Sequence, residues 1–454
     1  MKELELTITP QRAALLAGHD NELNVLVRVR APAAPDGTAP AKPLNLALVI
    51  DRSGSMSGRP LEEACRCAEF IVGSLKPEDA IALVTYDTQV TVDIPHRLVG
   101  DRKGLVEAIR AIVDGGSTAL HDGWFAGARE AAQGRERASV SRVLLLSDGQ
   151  ANHGLTEPDE IAAHCAQLAQ SGVTTSTYGL GHGFNEDLML GMARAGLGNS
   201  YYGATAEDLM DPFREEFELV RALCARKLRL QLAAPDGVTV QVLNGYAFDP
   251  ASGWQLPDLA WGGEAWAAVR LRVPAALADA AANGEGFVLE ARVTFEDMEG
   301  LPLMLAAPAL KLPWLPAAAF SAVASDPMVG ERLGELRAAE LTEKARLAAR
   351  AGDWRTVDRL LDLATREAVD NPWLQGAVEA LKKYAARRES EALSKEAAYQ
   401  ARTMRTRLAD ASEVAGSYVE GVESEKAAYL RRKMEKGRRM GGNPPSRGTG
   451  GPAQ

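Results

Sequence analysis

The chain has 454 residues, of which 46% are hydrophobic and 25% are charged, a composition that is ordinary for a globular protein of more than one domain. Its formal net charge of −10 opposes non-specific binding to nucleic acid. The sequence has no apolar signal region at its start and no uncharged apolar stretch of about 18 residues, so it predicts no membrane span and a cytoplasmic location.

Two short segments with alternating apolar and polar residues come first along the chain, Glu3–Thr9 and Asn24–Val29. This alternation is typical of strands with one buried face. The next segment, Ala31–Lys42, is rich in Pro, Ala and Gly and predicts a linker. Two strands cannot bury a face by themselves, so we expect residues 1–35 to pair with strands that come later in the chain.

The most informative segment joins an apolar strand, Leu44–Ile50, to a helix that opens at Pro60. It has the pattern D-x-S-x-S, formed by Asp51, Ser53 and Ser55. A loop at the carboxyl end of a strand can direct alternate side chains to one point, and ligands bind at this edge of parallel sheets. One carboxylate and two hydroxyls are hard oxygen ligands that suit Mg²⁺, Ca²⁺ or Mn²⁺. The alternative is a Ser- and Gly-rich turn that caps the helix.

Two later segments place further oxygen ligands at similar positions. Thr118 follows the helical stretch Lys103–Val113 and precedes another helix, and Asp148 follows the apolar strand Arg142–Ser147. Each residue lies where a loop meets the end of a helix or strand. These two segments favour a metal site over a simple capping turn.

Together, Asp51, Ser53, Ser55, Thr118 and Asp148 resemble the metal-ion-dependent adhesion site of the von Willebrand factor type A family. The resemblance covers roughly residues 45–221. It implies that the two Ser and the Thr bind a divalent cation directly, and that the Asp residues bind it directly or through water. Mg²⁺ is the cation that we expect, with Ca²⁺ or Mn²⁺ as alternatives.

The hydrophobic pattern of residues 43–222 independently predicts an α/β domain with a doubly wound, mostly parallel sheet. The predicted strands are Asp79–Tyr86, Gln89–Ile94, Arg142–Ser147 and Val173–Gly179. The predicted helices between and after them are Lys103–Val113, Asp122–Ala132, Pro158–Ser171 and Glu186–Ala195. The Gly-rich segment Gly179–Asn185 predicts a tight turn. It is not a dinucleotide-binding fingerprint, because it does not follow a first strand and has no acidic residue about 20 residues later at the end of a second strand.

After Arg221 the pattern returns to alternation and predicts an antiparallel β-sandwich over residues 225–315. The predicted strands are Lys227–Leu232, Val238–Leu243, Ala265–Val273, Phe287–Phe295 and Leu301–Leu305. We expect residues 1–35 to belong to this sandwich, so that the α/β domain is inserted in it or flanked by it. This arrangement would resemble an integrin β chain.

Residues 324–440 are predicted to be helical, and residues 441–454, rich in Gly and Pro, are predicted to be disordered. The predicted helices are Glu331–Ala351, Trp354–Val369, Pro372–Ala386 and a long helix from Glu389 to Lys436. We expect the first three to pack as helical hairpins, with a groove for a partner as the alternative. The basic segment Lys426–Arg439 predicts a solvated helix end, with a nucleic-acid or membrane patch as the alternative.

The resemblance implies a non-enzymatic adaptor that captures an Asp or Glu of a partner protein through its metal. An alternative role, known among bacterial relatives, is that of a substrate-recruiting subunit of an AAA+ ATPase. The enzyme alternative is a metal-dependent hydrolase, for which His121, His153 and His182 are candidate bases. The sequence contains no nucleophile elbow, P-loop or H-E-x-x-H motif, so it favours binding over hydrolysis.

Overall fold

The computed structural model describes residues 4–33, 43–134, 140–180, 184–203, 206–277, 286–369 and 371–406. These residues divide into two compact units, residues 4–339 with 402–406 and residues 340–401. Most of the predicted linker, the long helix beyond residue 406, the basic segment Lys426–Arg439 and the tail 441–454 lie outside the described residues. Among the described helices, none is long and apolar enough to cross a membrane.

The first unit begins with three strands, β1 (Glu5–Pro10), β2 (Leu15–Leu16) and β3 (Asn21–Arg30). Strands β1 and β3 pair antiparallel, with Glu5 opposite Arg30 and Pro10 opposite Val25. Apolar side chains of β3 such as Val25 and Val27 are fully buried. These strands therefore need a second layer to cover their apolar face.

The α/β part of the first unit follows the linker and contains a six-stranded sheet in the order β6-β5-β4-β7-β8-β9. Only β6 runs antiparallel to its neighbour. The strands are β4 (Leu44–Asp51), β5 (Ala80–Tyr86), β6 (Val90–Leu98), β7 (Val140–Ser147), β8 (Val173–Leu180) and β9 (Leu197–Gly203). Every residue of β4, β5, β7 and β8 is buried, because helices cover both faces of the sheet.

Six helices connect these strands: α1 (Arg59–Ser74), α2 (Lys103–Arg110), α3 (Leu120–Gln133), α4 (Pro158–Gln170), α5 (Glu186–Ala195) and α6 (Ala206–Arg221). One face of the sheet packs against α1, α2 and α6, and the opposite face packs against α3, α4 and α5. Helix α3 lies especially close to the sheet. A Cβ atom at Gly123 would lie 2.3 Å from the Tyr86 ring, so the close packing of α3 requires glycine there.

The chain then returns to antiparallel strands, which form two sheets. The first has the order β1-β3-β15-β11, and the second has the order β12-β13-β10-β16-β17, with β14 paired to β10 and β18 paired to β16. The strands are β10 (Leu223–Ala233), β11 (Thr239–Val242), β12 (Phe248–Asp249), β13 (Gly253–Gln255), β14 (Leu259–Ala260), β15 (Glu264–Val273), β16 (Phe287–Glu296), β17 (Pro302–Ala306) and β18 (Leu310–Leu312). A further strand, β19 (Trp314–Leu315), pairs in parallel with β2.

The N-terminal strands are part of this antiparallel structure. Strand β3 pairs with β15 along its whole length, from Asn21 opposite Val273 to Arg30 opposite Glu264. Side chains of β3 and β15 share one hydrophobic core with those of β10 and β16. The antiparallel strands therefore come from both sides of the α/β part in the sequence.

The last described part of the chain contains helices α7 (Ala317–Ser321), α8 (Pro327–Arg350), α9 (Trp354–Glu367), α10 (Pro372–Ala386) and α11 (Ser390–Thr406). In the second unit, α9 begins at a side-chain cap in which Asp353 accepts from the Thr356 amide, and α10 begins at a cap in which Asn371 accepts from the Leu374 amide. The core of this unit includes Val357, Leu361 and Leu381. The fold class predicted from the sequence, a mostly parallel α/β sheet with antiparallel sheets and a helical C-terminal region, is confirmed.

Candidate metal site

The five predicted ligands lie on three loops at the carboxyl edge of the parallel sheet. Asp51 is the last residue of β4, and Ser53 and Ser55 follow it in a loop that leads to α1. Thr118 lies just before α3, and Asp148 comes directly after β7. Strands β4 and β7 are neighbours in the sheet, so their carboxyl ends meet at the same edge.

Asp51 is fully buried, and hydrogen bonds hold its carboxylate in one orientation. Its Oδ1 accepts from the Ser53 amide at 2.9 Å. Its Oδ2 accepts from the Ser147 hydroxyl at 2.6 Å and from the Tyr86 hydroxyl at 3.1 Å. The Ser147 hydroxyl in turn accepts from the Gly149 amide, so the loop after β7 is connected to the carboxylate at the end of β4.

The three predicted hydroxyl ligands differ in exposure. Ser53 and Thr118 are buried, whereas Ser55 is exposed, and the Ser53 and Ser55 Oγ atoms lie 3.3 Å apart. The Thr118 amide donates to Asn152 Oδ1 at 2.8 Å, and the Thr118 carbonyl accepts from the Asn152 amide. The loops that carry Thr118 and Asp148 are therefore joined next to the candidate ligands.

Backbone hydrogen bonds also join the loop of Asp51 to the loop of Thr118. The Gly115 amide donates to the Arg52 carbonyl at 2.7 Å, and the Gly54 amide donates to the Gly116 carbonyl at 2.9 Å. A Cβ atom at Gly115 would lie 1.9 Å from Asp87 Oδ2, which pairs with Arg52 of the Asp51 loop, so a side chain at position 115 would displace Asp87. The two loops are thereby fixed relative to each other.

Asp148 is 5% exposed and accepts from the Gln150 amide at 3.1 Å through Oδ1. Gly149, which follows it, has a φ of 68°, a conformation that favours glycine. The Asp148 carbonyl accepts from the Asn185 amide at 2.7 Å. The loop after β7 therefore presents Asp148 in a defined turn.

The electrostatics of this edge are unusual for a protein interior. Burial raises the pKa of Asp51, and the nearby charge of Asp148 raises it further, although hydrogen bonds from Ser147 and Ser53 oppose the shift. Within the described ranges, no Arg, Lys or His side chain forms an ion pair with Asp51 or Asp148. The nearest cation in sequence, Arg52, pairs instead with Asp87 at 3.0 Å. Among the residues that the structure describes, the two acidic groups thus have no counter-ion.

The oxygen donors fit a hard divalent cation. Two carboxylates and three hydroxyls are the ligand types that Mg²⁺, Ca²⁺ and Mn²⁺ prefer, and the missing counter-ion is what such a cation would supply. In the part of the chain that the structure describes, no group of three or more His, Cys, Asp or Glu residues is arranged to hold a metal. That result concerns a different ligand set, because most of the predicted ligands here are hydroxyls.

The three histidines that the sequence offers as candidate bases of a hydrolase differ in their surroundings. The His121 ring is hydrogen-bonded through Nδ1 to Asp122 Oδ1 at 3.2 Å and through Nε2 to His164 Nδ1 at 2.9 Å. His153 is exposed, and its amide donates to the Thr118 carbonyl. His182 lies outside the described residues.

The prediction from sequence omitted Tyr86, Ser147 and Asn152, which hold the candidate ligands in place. Tyr86 lies opposite Asp51 in the pairing of β4 with β5, and Ser147 directly precedes Asp148. Their positions at strand ends were a usable signal once β5 and β7 had been predicted as neighbours of β4. Asn152 lies on a loop without periodic pattern, so no feature of the sequence indicated its contact with Thr118.

Comparison with known proteins finds a family match over this part of the chain. Residues 45–215 match the family model of the von Willebrand factor type A domain. The chain is 30% identical over 192 residues to the uncharacterized protein sll0103 of Synechocystis sp., covering 42% of this chain and 45% of that protein. It is 31% identical over 169 residues to human inter-alpha-trypsin inhibitor heavy chain H3, covering 35% of this chain and 19% of that protein. The chain thus spans less than half the length of these curated relatives.

Two solved structures share the fold over most of the chain. A von Willebrand factor type A protein from Catenulispora acidiphila has a TM-score of 0.68 and 17% identity, with 89% of this chain and 97% of that chain covered. The ArnB paralog VWA2 from Sulfolobus acidocaldarius has a TM-score of 0.58 and 17% identity, with 87% and 98% covered. At this identity the likeness concerns the fold alone.

Proposed function

We propose that the von Willebrand factor type A domain of this chain binds a divalent cation, Mg²⁺ above all, and uses it to capture an Asp or Glu side chain of a partner protein. The cation would be held by Asp51, Ser53, Ser55, Thr118 and Asp148. One observation carries the proposal: Asp51 and Asp148 are buried side by side and, among the described residues, have no basic partner. Buried charges in proteins are normally paired or bind metals.

The ligand set favours binding of an anion as the next step. The three hydroxyls are neutral, and a carboxylate that binds through water offsets the charge of a divalent cation less than one that binds it directly. When bound, the cation would supply residual positive charge and an open coordination position for a partner carboxylate. Exposed Ser55 lies on the side from which a partner can approach.

The surrounding hydrogen bonds support a site that is already formed before binding. Tyr86 and Ser147 orient Asp51, and Asn152 orients the backbone of Thr118. Burial raises the pKa of Tyr86 well above its ordinary value, so this residue remains a neutral hydrogen-bond donor. A site that is ordered in advance loses less conformational freedom when it binds.

We also propose that the protein turns over no substrate. A hydrolase would need a free base beside the ion. Both ring nitrogens of His121 are within hydrogen-bond distance of Asp122 or His164, which supports binding over catalysis. Cleavage of a phosphoester or peptide that required Mg²⁺ and was lost in His121→Ala, with metal affinity unchanged, would replace this proposal with hydrolysis. Recruitment of substrates to an AAA+ ATPase and a cytoplasmic location stay predictions from the sequence.

Isothermal titration with Mg²⁺, Mn²⁺ and Ca²⁺ tests the metal site. We expect wild type to bind one ion, and we expect Asp51→Asn to show no binding, since the amide keeps the shape of the side chain and removes its charge. Thr118 offers a matched pair, because Thr118→Ser keeps the ligand oxygen and Thr118→Val removes it at nearly constant volume. Asp93→Asn, a change of an exposed carboxylate on β6, is the control. Equal affinities for Thr118→Ser and Thr118→Val would contradict the proposed ligand set.

Affinity capture with the full chain tests the partner. A partner bound in Mg²⁺ should be released by EDTA and should not bind the Asp51→Asn protein. In the purified complex, replacing a single partner Glu or Asp by its amide should remove most of the affinity, as expected for a residue that dominates an interface. Binding that survives both EDTA and Asp51→Asn would show that the partner contacts another surface.

A further inference from the structure

A pair of histidines lies outside the site described above, on neighbouring helices of the α/β part. His121 is in the first turn of α3, and His164 is in α4. His121 Nε2 lies 2.9 Å from His164 Nδ1, and the two ring centroids are 5.1 Å apart. The rings therefore meet nearly end to end.

His121 is held in place by packing, whereas His164 lies at the surface. The His121 side chain is only 14% exposed and is stacked on Phe125, with ring centroids 6.0 Å apart and an interplanar angle of 10°. The Trp124 ring lies at 5.8 Å. His164 is exposed to solvent. One imidazole is thus fixed by packing, and the other can adjust to a ligand.

Asp122 determines which nitrogen of His121 is available. Its carboxylate is 56% exposed and only accepts hydrogen bonds when ionised, so its contact of 3.2 Å with His121 Nδ1 requires that Nδ1 carries the proton. His121 Nε2 then carries a lone pair that accepts from His164 Nδ1 at 2.9 Å, and a change of tautomer at the exposed His164 would turn a second lone pair towards the same point. A carboxylate that accepts from one nitrogen while the other faces outward is the arrangement that supports metal-binding histidines.

We infer that His121 and His164 form a second metal site, for a transition-metal ion that prefers imidazole, such as Zn²⁺, Ni²⁺ or Cu²⁺. Nitrogen atoms bound about 2.0–2.1 Å from one ion and about 90–110° apart lie about 2.9–3.4 Å from each other, which matches the observed separation. Rotation of the exposed His164 ring would direct both lone pairs to one ion. Water or a partner side chain would complete the coordination.

The two sites differ in their ligand chemistry, and they should therefore bind different ions. Imidazole nitrogens bind Zn²⁺ and Cu²⁺ far better than Mg²⁺, whereas carboxylate and hydroxyl oxygens suit Mg²⁺. A metal ion between His121 and His164 would also link α3 to α4. This inference does not depend on the proposed capture of a partner carboxylate.

Zn²⁺ titration of the full chain in saturating Mg²⁺ tests the histidine site. We expect wild type to bind one Zn²⁺, and we expect His121→Gln and His164→Gln each to lose at least tenfold in affinity. Asp122→Asn should lose about 10- to 100-fold, the usual effect of removing a supporting carboxylate. His153→Gln, at an exposed loop histidine, is the control and should bind Zn²⁺ like wild type.

Two further measurements separate a site from a folding defect. The Mg²⁺ titration of each variant should equal that of wild type, and His164→Gln changes an exposed residue that the fold does not require. The electron paramagnetic resonance spectrum of bound Cu²⁺ should show coupling to nitrogen in wild type and lose it in the two histidine variants. Equal Zn²⁺ affinity in wild type, His121→Gln and His164→Gln would overturn the inference, as would the absence of Zn²⁺ binding at millimolar concentration.

Discussion

The parallel sheet packs against two buried carboxylates that have opposite surroundings. On the face covered by α6, Glu216 contacts the Arg142 guanidinium and accepts from Ser176 at 2.7 Å, Asn199 at 2.6 Å and Tyr201 at 2.8 Å. At the carboxyl edge, the described partners of Asp51 are two hydroxyls and an amide. Glu216 is thus paired with a protein cation, whereas Asp51 has none among the described residues.

The pKa values of Glu216 and Asp51 are shifted in opposite directions. Burial by itself would raise the pKa of Glu216, but Arg142 and the hydrogen-bond donors outweigh it and lower the pKa. Burial also raises the pKa of Asp51, and no cation within the described ranges opposes the shift. A buried carboxylate with an internal cation contributes to the fold, whereas a buried pair without one calls for an external cation. The presence or absence of an internal cation thus distinguishes the structural carboxylate, Glu216, from the carboxylates of the proposed metal site.

The largest expected effect concerns the ion pair of Glu216 with Arg142. Glu216→Ala should lower the free energy of opening of β7 and β8 by about 3–5 kcal/mol, because it leaves the buried Arg142 without its partner. Native-state hydrogen exchange of amides in these strands measures this quantity, and it applies to a chain of two units. A loss below about 1 kcal/mol would mean that the Glu216 network does not stabilise the fold, and it would contradict the structural role given to Glu216.

A smaller effect should appear at the carboxyl edge, and only when metal is added. Mg²⁺ at 100 times its dissociation constant should stabilise wild type by about 2.7 kcal/mol and Asp51→Asn not at all. In EDTA, Asp51→Asn should be at least as stable as wild type, because the substitution removes a buried charge that lacks a counter-ion. Hydrogen exchange of the β4 and β7 amides, with and without Mg²⁺, gives both results. Strong destabilisation of Asp51→Asn in EDTA would assign a structural role to Asp51.

The smallest expected effects are those of pH on stability, and they should have opposite signs for Glu216 and Asp51. The folded pKa of Glu216 lies below its ordinary value of 4.5, so its contribution is present above pH 4.5 and lost as the pH falls through the folded pKa. The folded pKa of Asp51 lies above its ordinary value of 3.8, so in EDTA its contribution is present below pH 3.8 and lost as the pH rises through the folded pKa.

Urea unfolding in EDTA over about pH 3–8 checks these signs. Glu216→Gln should remove part of the loss of stability in acid, and Asp51→Asn should remove part of the loss at higher pH. The same slope in wild type and Asp51→Asn above pH 3.8 would contradict the raised pKa of Asp51.

The sequence by itself determined the α/β class and nominated the ligand set. Strands β4 and β7 are uninterrupted apolar runs followed by Asp51 and Asp148, and carboxyl ends of parallel strands must share one edge of the sheet. Hydrophobic periodicity also located the helices of the second unit, because this signal is local. Whether the five nominated residues bind a metal stays a prediction.

Only the tertiary structure decided which groups surround those residues. Tyr86 contacts Asp51 across 35 residues of sequence, and Ser147 contacts it across 96. Arg142 reaches Glu216 across 74 residues, and β3 pairs with β15 although the whole α/β part lies between them. A local pattern shows which side chains are polar or apolar, but it does not show which distant residue neutralises a buried charge. That is decided by packing, since the cost of burying a charge depends on every group that the fold places around it.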